Sequence, residues 1–158
     1  MTQKIIQNFD SALLQFNEVR RMTLDLFKPL KIEDAVIQSD AFGSPPNWHL
    51  AHVTWFFQKI LEKYGVKLRD VHNSNYLNSY YQQFGNILPK SERGKFPRPT
   101  VEETLSYRSS IEEQINSLLT TKKNLPEGLI YDILLGNHHE MQHQELMIYD
   151  LQNYFQRF

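Results

Sequence analysis

The stretch His138-His139-Glu140-Met141-Gln142-His143-Gln144-Glu145-Leu146 decides how this chain is read. It lies inside a long helical pattern, and His139 and His143 stand four residues apart. On a helix that spacing places both imidazoles one above the other on a single face. Histidine is a mediocre helix former, so propensity does not ask for it at either position. Two imidazoles stacked in this way can grip one metal ion with little rearrangement. The alternative is a pair of interior histidines bonded to core carbonyls; the spacing favours half of a metal site. His138 points roughly 100° away from the pair and reads as a surface residue, whereas Glu145, roughly 200° round from His143, is a poor ligand.

Outward from that stretch, the helix runs from Pro126 almost to the C-terminus. Before it, Thr100-Val101-Glu102-Glu103 is a capping box, which opens a helix reaching about Thr121 through Leu105, Ile111, Ile115 and Leu119. Ser44 can cap another helix, with Pro45 at its first position and Gly65 as its stop. Residues Gln3 to Lys28 form the first, with Phe9, Leu13, Phe16, Val19, Thr23 and Leu26 at spacings of three and four. Arg20 and Arg21 are assigned to its solvated face. Residues 29–43 show no clear period. The four helices and the absence of a convincing strand predict an all-α four-helix bundle spanning residues 1–158 as one domain. The first and third connections are short enough for antiparallel neighbours. The second is long enough to cross the bundle, which gives up-down-down-up. Within it, residues 76–84 read as a short helix, and Lys90, Arg93, Lys95 and Arg98 form either an anion-binding edge or a solvated loop.

Composition narrows the classes. The chain has 158 residues, 41% hydrophobic and 22% charged, which is the balance of a globular domain. A net charge of -1 supplies no basic field for nucleic acid or an anionic membrane. Cysteine is absent, which removes disulfides, thiolate ligands and a cysteine nucleophile. The N-terminus lacks a signal-peptide run and no apolar stretch is long enough to span a bilayer. The expectation is a cytoplasmic protein without nucleic-acid or membrane partners.

A second histidine pair, His49 and His52, lies in the first turns of the second helix among large aromatics. If that helix faces the last one, a third imidazole can reach the same ion; periodicity does not choose between His49 and His52, although His49 by itself reads as structural. Three neutral histidines leave coordination positions open, the arrangement of a catalytic metal and not of a closed structural one. His72 reads as a solvated loop residue.

The segments Ser44-Pro45-Pro46-Asn47-Trp48-His49-Leu50-Ala51-His52-Val53-Thr54-Trp55-Phe56-Phe57 and His139-Glu140-Met141-Gln142-His143-Gln144-Glu145-Leu146 carry a resemblance. So do Asn78-Ser79-Tyr80-Tyr81, Arg93-Gly94 and Arg98-Pro99-Thr100-Val101. Together they resemble the N-terminal DinB-like domain of ergothioneine-type sulfoxide synthases. The resemblance implies a DinB-like bundle holding one non-haem iron(II) on His52, His139 and His143, so it selects His52 over His49. It implies O₂-dependent C–S bond formation between a cysteine-containing thiol and trimethylhistidine. Lys90 and Arg93 would bind substrate carboxylates, with lysine standing where the family can place an arginine. The family's second domain, similar to formylglycine-generating enzymes, has no counterpart in this chain. The chain alone is therefore expected to hold iron but make little sulfoxide unless a second domain or chain completes it. The aromatic end Tyr154-Phe155-Gln156-Arg157-Phe158 reads as a contact for such a partner or as a frayed terminus. Two other classes fit the same residues: a DinB-like thiol transferase using zinc or nickel, and a non-catalytic bundle.

Overall fold

The computed structural model describes residues 2–68, 74–80, 87–95, 97–121 and 125–157. Five α-helices follow in order: α1 (Thr2–Phe27), α2 (Ile32–Val36), α3 (Pro46–Lys63), α4 (Val101–Thr121) and α5 (Leu129–Arg157). Among the described residues there is no strand, and no helix is long and apolar enough to cross a membrane. The expected all-α bundle is present, with each long helix within a few residues of its predicted bounds.

Local chemistry sets these ends. The capping box closes as predicted: Thr100 Oγ1 accepts from the Glu103 N–H at 3.2 Å, and Glu103 Oε2 accepts from the Thr100 N–H at 2.7 Å. Gly65 follows α3 with φ +81°, a conformation costly for any residue with a Cβ, so the helix stops there. Three details differ from expectation. The 29–43 connector contains α2, whose Ala35 is buried against the bundle and so supplies a local anchor that periodicity over five residues cannot reveal. Helix α3 begins at Pro46, with Pro45 as its cap, because Ser44 is engaged elsewhere: its hydroxyl accepts from Arg93. Of the predicted 76–84 helix, Tyr76 and Leu77 close a 3₁₀ turn, Ser74–Leu77, while residues 81–84 lie outside the described set. His72 also lies outside it.

Side-chain pairs fix the topology. Asn17 bonds Asn116 and Arg20 bonds Glu112, so α1 and α4 are antiparallel. His49 meets Asp150, His52 meets His139 and Lys63 meets Asp132, so α3 and α5 are antiparallel. Phe16 packs in one core cluster with Ile133, and Phe27 packs in another with Met147, so α1 and α5 are parallel. The order is up-down-down-up, as the long crossover implies. The neighbours are not those expected from the short connections, however. The principal packing pairs are α1 with α5, α3 with α5 and α3 with α4. The long helices joined by the short links, α1 with α3 and α4 with α5, therefore stand across the bundle from each other, whereas α3 and α4, joined by the long crossover, are neighbours; the buried stripes, not link length, choose partners.

The main core joins Phe16, Phe57, Leu61, Ile111, Ile115, Leu119 and Ile133. Each fully buried side chain of this size contributes roughly 1.5–3 kcal/mol. Gly136 sits at a close approach of α3 and α5: a Cβ there would lie 2.5 Å from Phe57 Cε1. One helical turn further along α5 stands His139, so the same close approach that needs a glycine brings the histidines of the two helices together.

Candidate metal centre

His52 from α3 and His139 and His143 from α5 converge, with one ring nitrogen of each within 4.8 Å of the other two. His52 is fully buried, His143 is 5% exposed and His139 is half-buried. The third imidazole that reaches the pair is thus His52.

His52 and His139 approach through their Nε2 atoms at 3.2 Å. The Nδ1–H of His52 donates to the Leu77 carbonyl at 2.5 Å, which leaves its Nε2 as a lone pair aimed at His139. Either His139 donates to it, leaving its own buried Nδ1 as an acceptor without a partner, or two lone pairs face each other. A cation between them removes the clash of lone pairs, with His139 then carrying its proton on Nδ1. Two nitrogens bound to one ion at about 2.0–2.1 Å lie roughly 2.8–3.4 Å apart at octahedral to tetrahedral angles. The observed spacing fits a shared ion without movement of either helix.

The rings are neutral. Burial pushes His139 down to about 4. Burial first, then neighbouring imidazoles, holds His52 and His143 well below the usual imidazole range. Trp48 stacks on His52 with centroids 4.7 Å apart and rings 9° from parallel, and Phe56 lies 4.2 Å from the His139 ring. His139 opens on a cleft of about 590 Å³ lined also by Phe56, Leu135, His138, Met141 and Gln142. His138 is exposed, as expected, and Glu145 is on the outer face of α5.

These low imidazole values make the metal-free protein acid-sensitive. An unfolded chain takes up protons on its histidines below about 6.5, while the folded one refuses them. Stability is therefore flat above that point and falls as the pH drops towards 4. Each of the three histidines removes about 1.4 kcal/mol by pH 5.5. Urea unfolding of metal-free protein should show a loss of about 4 kcal/mol between pH 7.5 and pH 5.5. A loss of less than about 1 kcal/mol would contradict the neutral, buried cluster.

His49 is not part of the triad: its Nδ1 lies 2.9 Å from His143 Nδ1, and its Nε2 lies 3.1 Å from Asp150 Oδ2. Of the four basic residues noted in the crossover, Arg93 alone is buried, inside the 3₁₀ segment Lys90–Lys95. Its guanidinium carbon lies 3.7 Å from the Trp48 ring centroid, Nη1 donates to Ser44 Oγ at 2.9 Å, and Nη2 donates to Ser79 Oγ at 2.7 Å. Its Nε has no partner among the described residues, and burial lowers its pKa to about 10. Arg93 lines a pocket of about 340 Å³ with Asn47, Trp48, Ala51, Tyr76 and Arg98. Lys90 is exposed and is not among the residues lining that pocket. Lys95 and Arg98 pair with Glu92 and Glu103.

The sequence reading missed a second buried assembly beside the triad. Arg20, assigned to solvent, is 2% exposed and binds Glu140, as does Arg108 from α4. The signal was available: Arg20 stands four residues after Phe16, on the apolar stripe of α1. Asp150 was missed too, although it lies seven residues after His143 and hence on the same face of α5.

A family model described as the DinB superfamily matches residues 15–147, which cover all three histidines, the whole of α3 and α4, and parts of α1 and α5. The chain belongs to the DinB superfamily, whose helical domains bind metal ions. No curated protein matches the chain.

Proposed function

We propose that this domain holds one iron(II) ion on His52, His139 and His143 and serves O₂-dependent C–S bond formation, joining a cysteine-containing thiol to trimethylhistidine. The observation that supports this most is the donor set: three neutral imidazoles and, among the described residues, no carboxylate, with a cleft opening on His139. Such a set leaves the ion's divalent charge uncompensated and its remaining positions free for an anionic thiolate. The ion, when bound, would activate oxygen and template the two substrates. The chain's own residues do the rest. Trp48 and the Leu77 carbonyl hold the plane and tautomer of His52. Arg93, buried and, among the described residues, without a carboxylate partner or a partner for its Nε, offers a charge-assisted bond to a substrate carboxylate in the neighbouring pocket. Lys90, placed in solvent, would contribute at longer range.

The test is spectroscopic. Anaerobic protein loaded with iron(II) and nitric oxide, an oxygen surrogate, should give an electron paramagnetic resonance signal that changes when a cysteine-containing thiol is added. Arg93→Leu should raise the thiol concentration needed by about 10-fold or more, the loss of one charge-assisted bond, and leave iron affinity unchanged. A signal indifferent to thiol would overturn the reading. Retention of zinc over iron, with thiol transfer to an electrophile in the absence of O₂, would replace it with the transferase class.

A further inference from the structure

A hydrogen-bonded chain leads away from the triad and ends in a buried carboxylate. Asp150 Oδ2 accepts from the Ser44 N–H at 2.9 Å and lies 3.1 Å from His49 Nε2. His49 Nδ1 lies 2.9 Å from His143 Nδ1. His49, Asp150 and His143 are all less than a tenth exposed. The direction of the protons follows from the charge at the far end. If His49 carried its proton on Nδ1, its Nε2 lone pair would face the carboxylate, and two acceptors would meet in a buried site. With the proton on Nε2, His49 donates to Asp150 and its Nδ1 becomes an acceptor. His143 must then donate from Nδ1, and its one remaining lone pair is on Nε2.

We infer that Asp150 and His49 are positioning residues for the metal centre: together they fix His143 as the Nδ1–H tautomer and turn its Nε2 lone pair towards His52 and His139. The inference rests on the reading that these three histidines share a metal ion, and not on iron or on the reaction. It also explains why a second histidine one turn before His52 is buried yet is not a ligand. Each of the outer ligands on this side is held differently: His52 by a backbone carbonyl, His143 by an imidazole–carboxylate pair. A carboxylate behind an imidazole raises the basicity of the ligand it supports, so the metal should feel the loss of His49 without contacting it.

Two measurements test this. In the wild-type protein, metal-free and zinc-loaded, nitrogen-15 NMR of the imidazoles should show His49 as the Nε2–H tautomer and His143 as the Nδ1–H tautomer. Finding His49 protonated on Nδ1, or His143 joined to zinc through Nδ1, would overturn the inference. The metal-free spectrum decides it even if no zinc is bound; absence of zinc binding would instead sink the metal reading. In parallel, His49→Phe, which keeps the ring volume and removes the acceptor, should weaken zinc affinity about 10–100-fold. His49→Gln, which can return an acceptor oxygen, should recover most of that loss. Equal zinc affinity in wild type and both variants would refute the positioning role, as would equal loss in both with unchanged tautomers.

Discussion

Glu140→Gln should lower the folding stability of the metal-free protein by about 3–5 kcal/mol, the usual consequence of leaving buried charge without its partner. Glu140 is fully buried and takes Arg20 Nη1 at 2.8 Å on one oxygen and Arg108 Nη2 at 2.7 Å on the other. Thr23 Oγ1 donates to it at 2.6 Å. Burial alone would raise its pKa, but the two guanidinium groups outweigh burial and bring it to about 2. Glutamine keeps the shape and removes the charge, so two arginines that are 2% and 1% exposed would share only Glu112. Glu112 lies at the rim, 25% exposed, and Glu112→Gln should cost clearly less. Urea midpoints for the two variants at pH 7.5 measure the difference. Equal, small losses would show that the network is not the anchor described here. Its contribution should persist down to about pH 4.5 and vanish as the pH falls towards 2, below the window in which the histidines act.

The network also locks the angle of α5. Glu140 adjoins His139, and its two arginines come from α1 and α4, so the helix cannot rotate without tearing a buried ion pair. The Gln144 side chain adds a bond to the Val19 carbonyl at 3.0 Å. His139 and His143 therefore face α3 because Glu140 and Gln144 face α1 and α4.

Much of this was legible before the structure. The four long helices follow from periodicity and from local stops at Gly65 and Thr100, which act within a few residues. The His139/His143 pair follows from helical spacing. The choice of His52 over His49 did not follow from spacing; it required the resemblance, because both lie on a helix so aromatic that every face looks buried. The neighbours around the bundle were not legible either, since loop length bounds reach but does not select a partner. Arg20 was assigned to the solvated face and Asp150 was not singled out, because a single charged residue on an apolar stripe gains meaning only when its partner's helix is known. Arg20 finds its partner 120 residues away and His49 finds Asp150 across 101 residues.

The largest effect expected is on metal binding. His52→Ala, His139→Ala and His143→Ala should each weaken divalent metal affinity at least about 100-fold, at or beyond the upper end of what outer partners alone produce. Each substitution removes one of the three protein donors found among the described residues, and the others are too rigidly held to replace it. His139 is the most exposed of the three, so His139→Ala is the variant whose fold is disturbed least. His138→Ala, one residue away on the outer face, should bind as wild type does. The decisive measurement is anaerobic equilibrium titration with cobalt(II) or iron(II) of the wild type beside these four variants. One ion per chain in wild type and His138→Ala, with binding lost in the other three while their helical signal is retained, is the predicted result. Undiminished binding in His52→Ala, or binding that follows His138, would contradict a centre built jointly by α3 and α5.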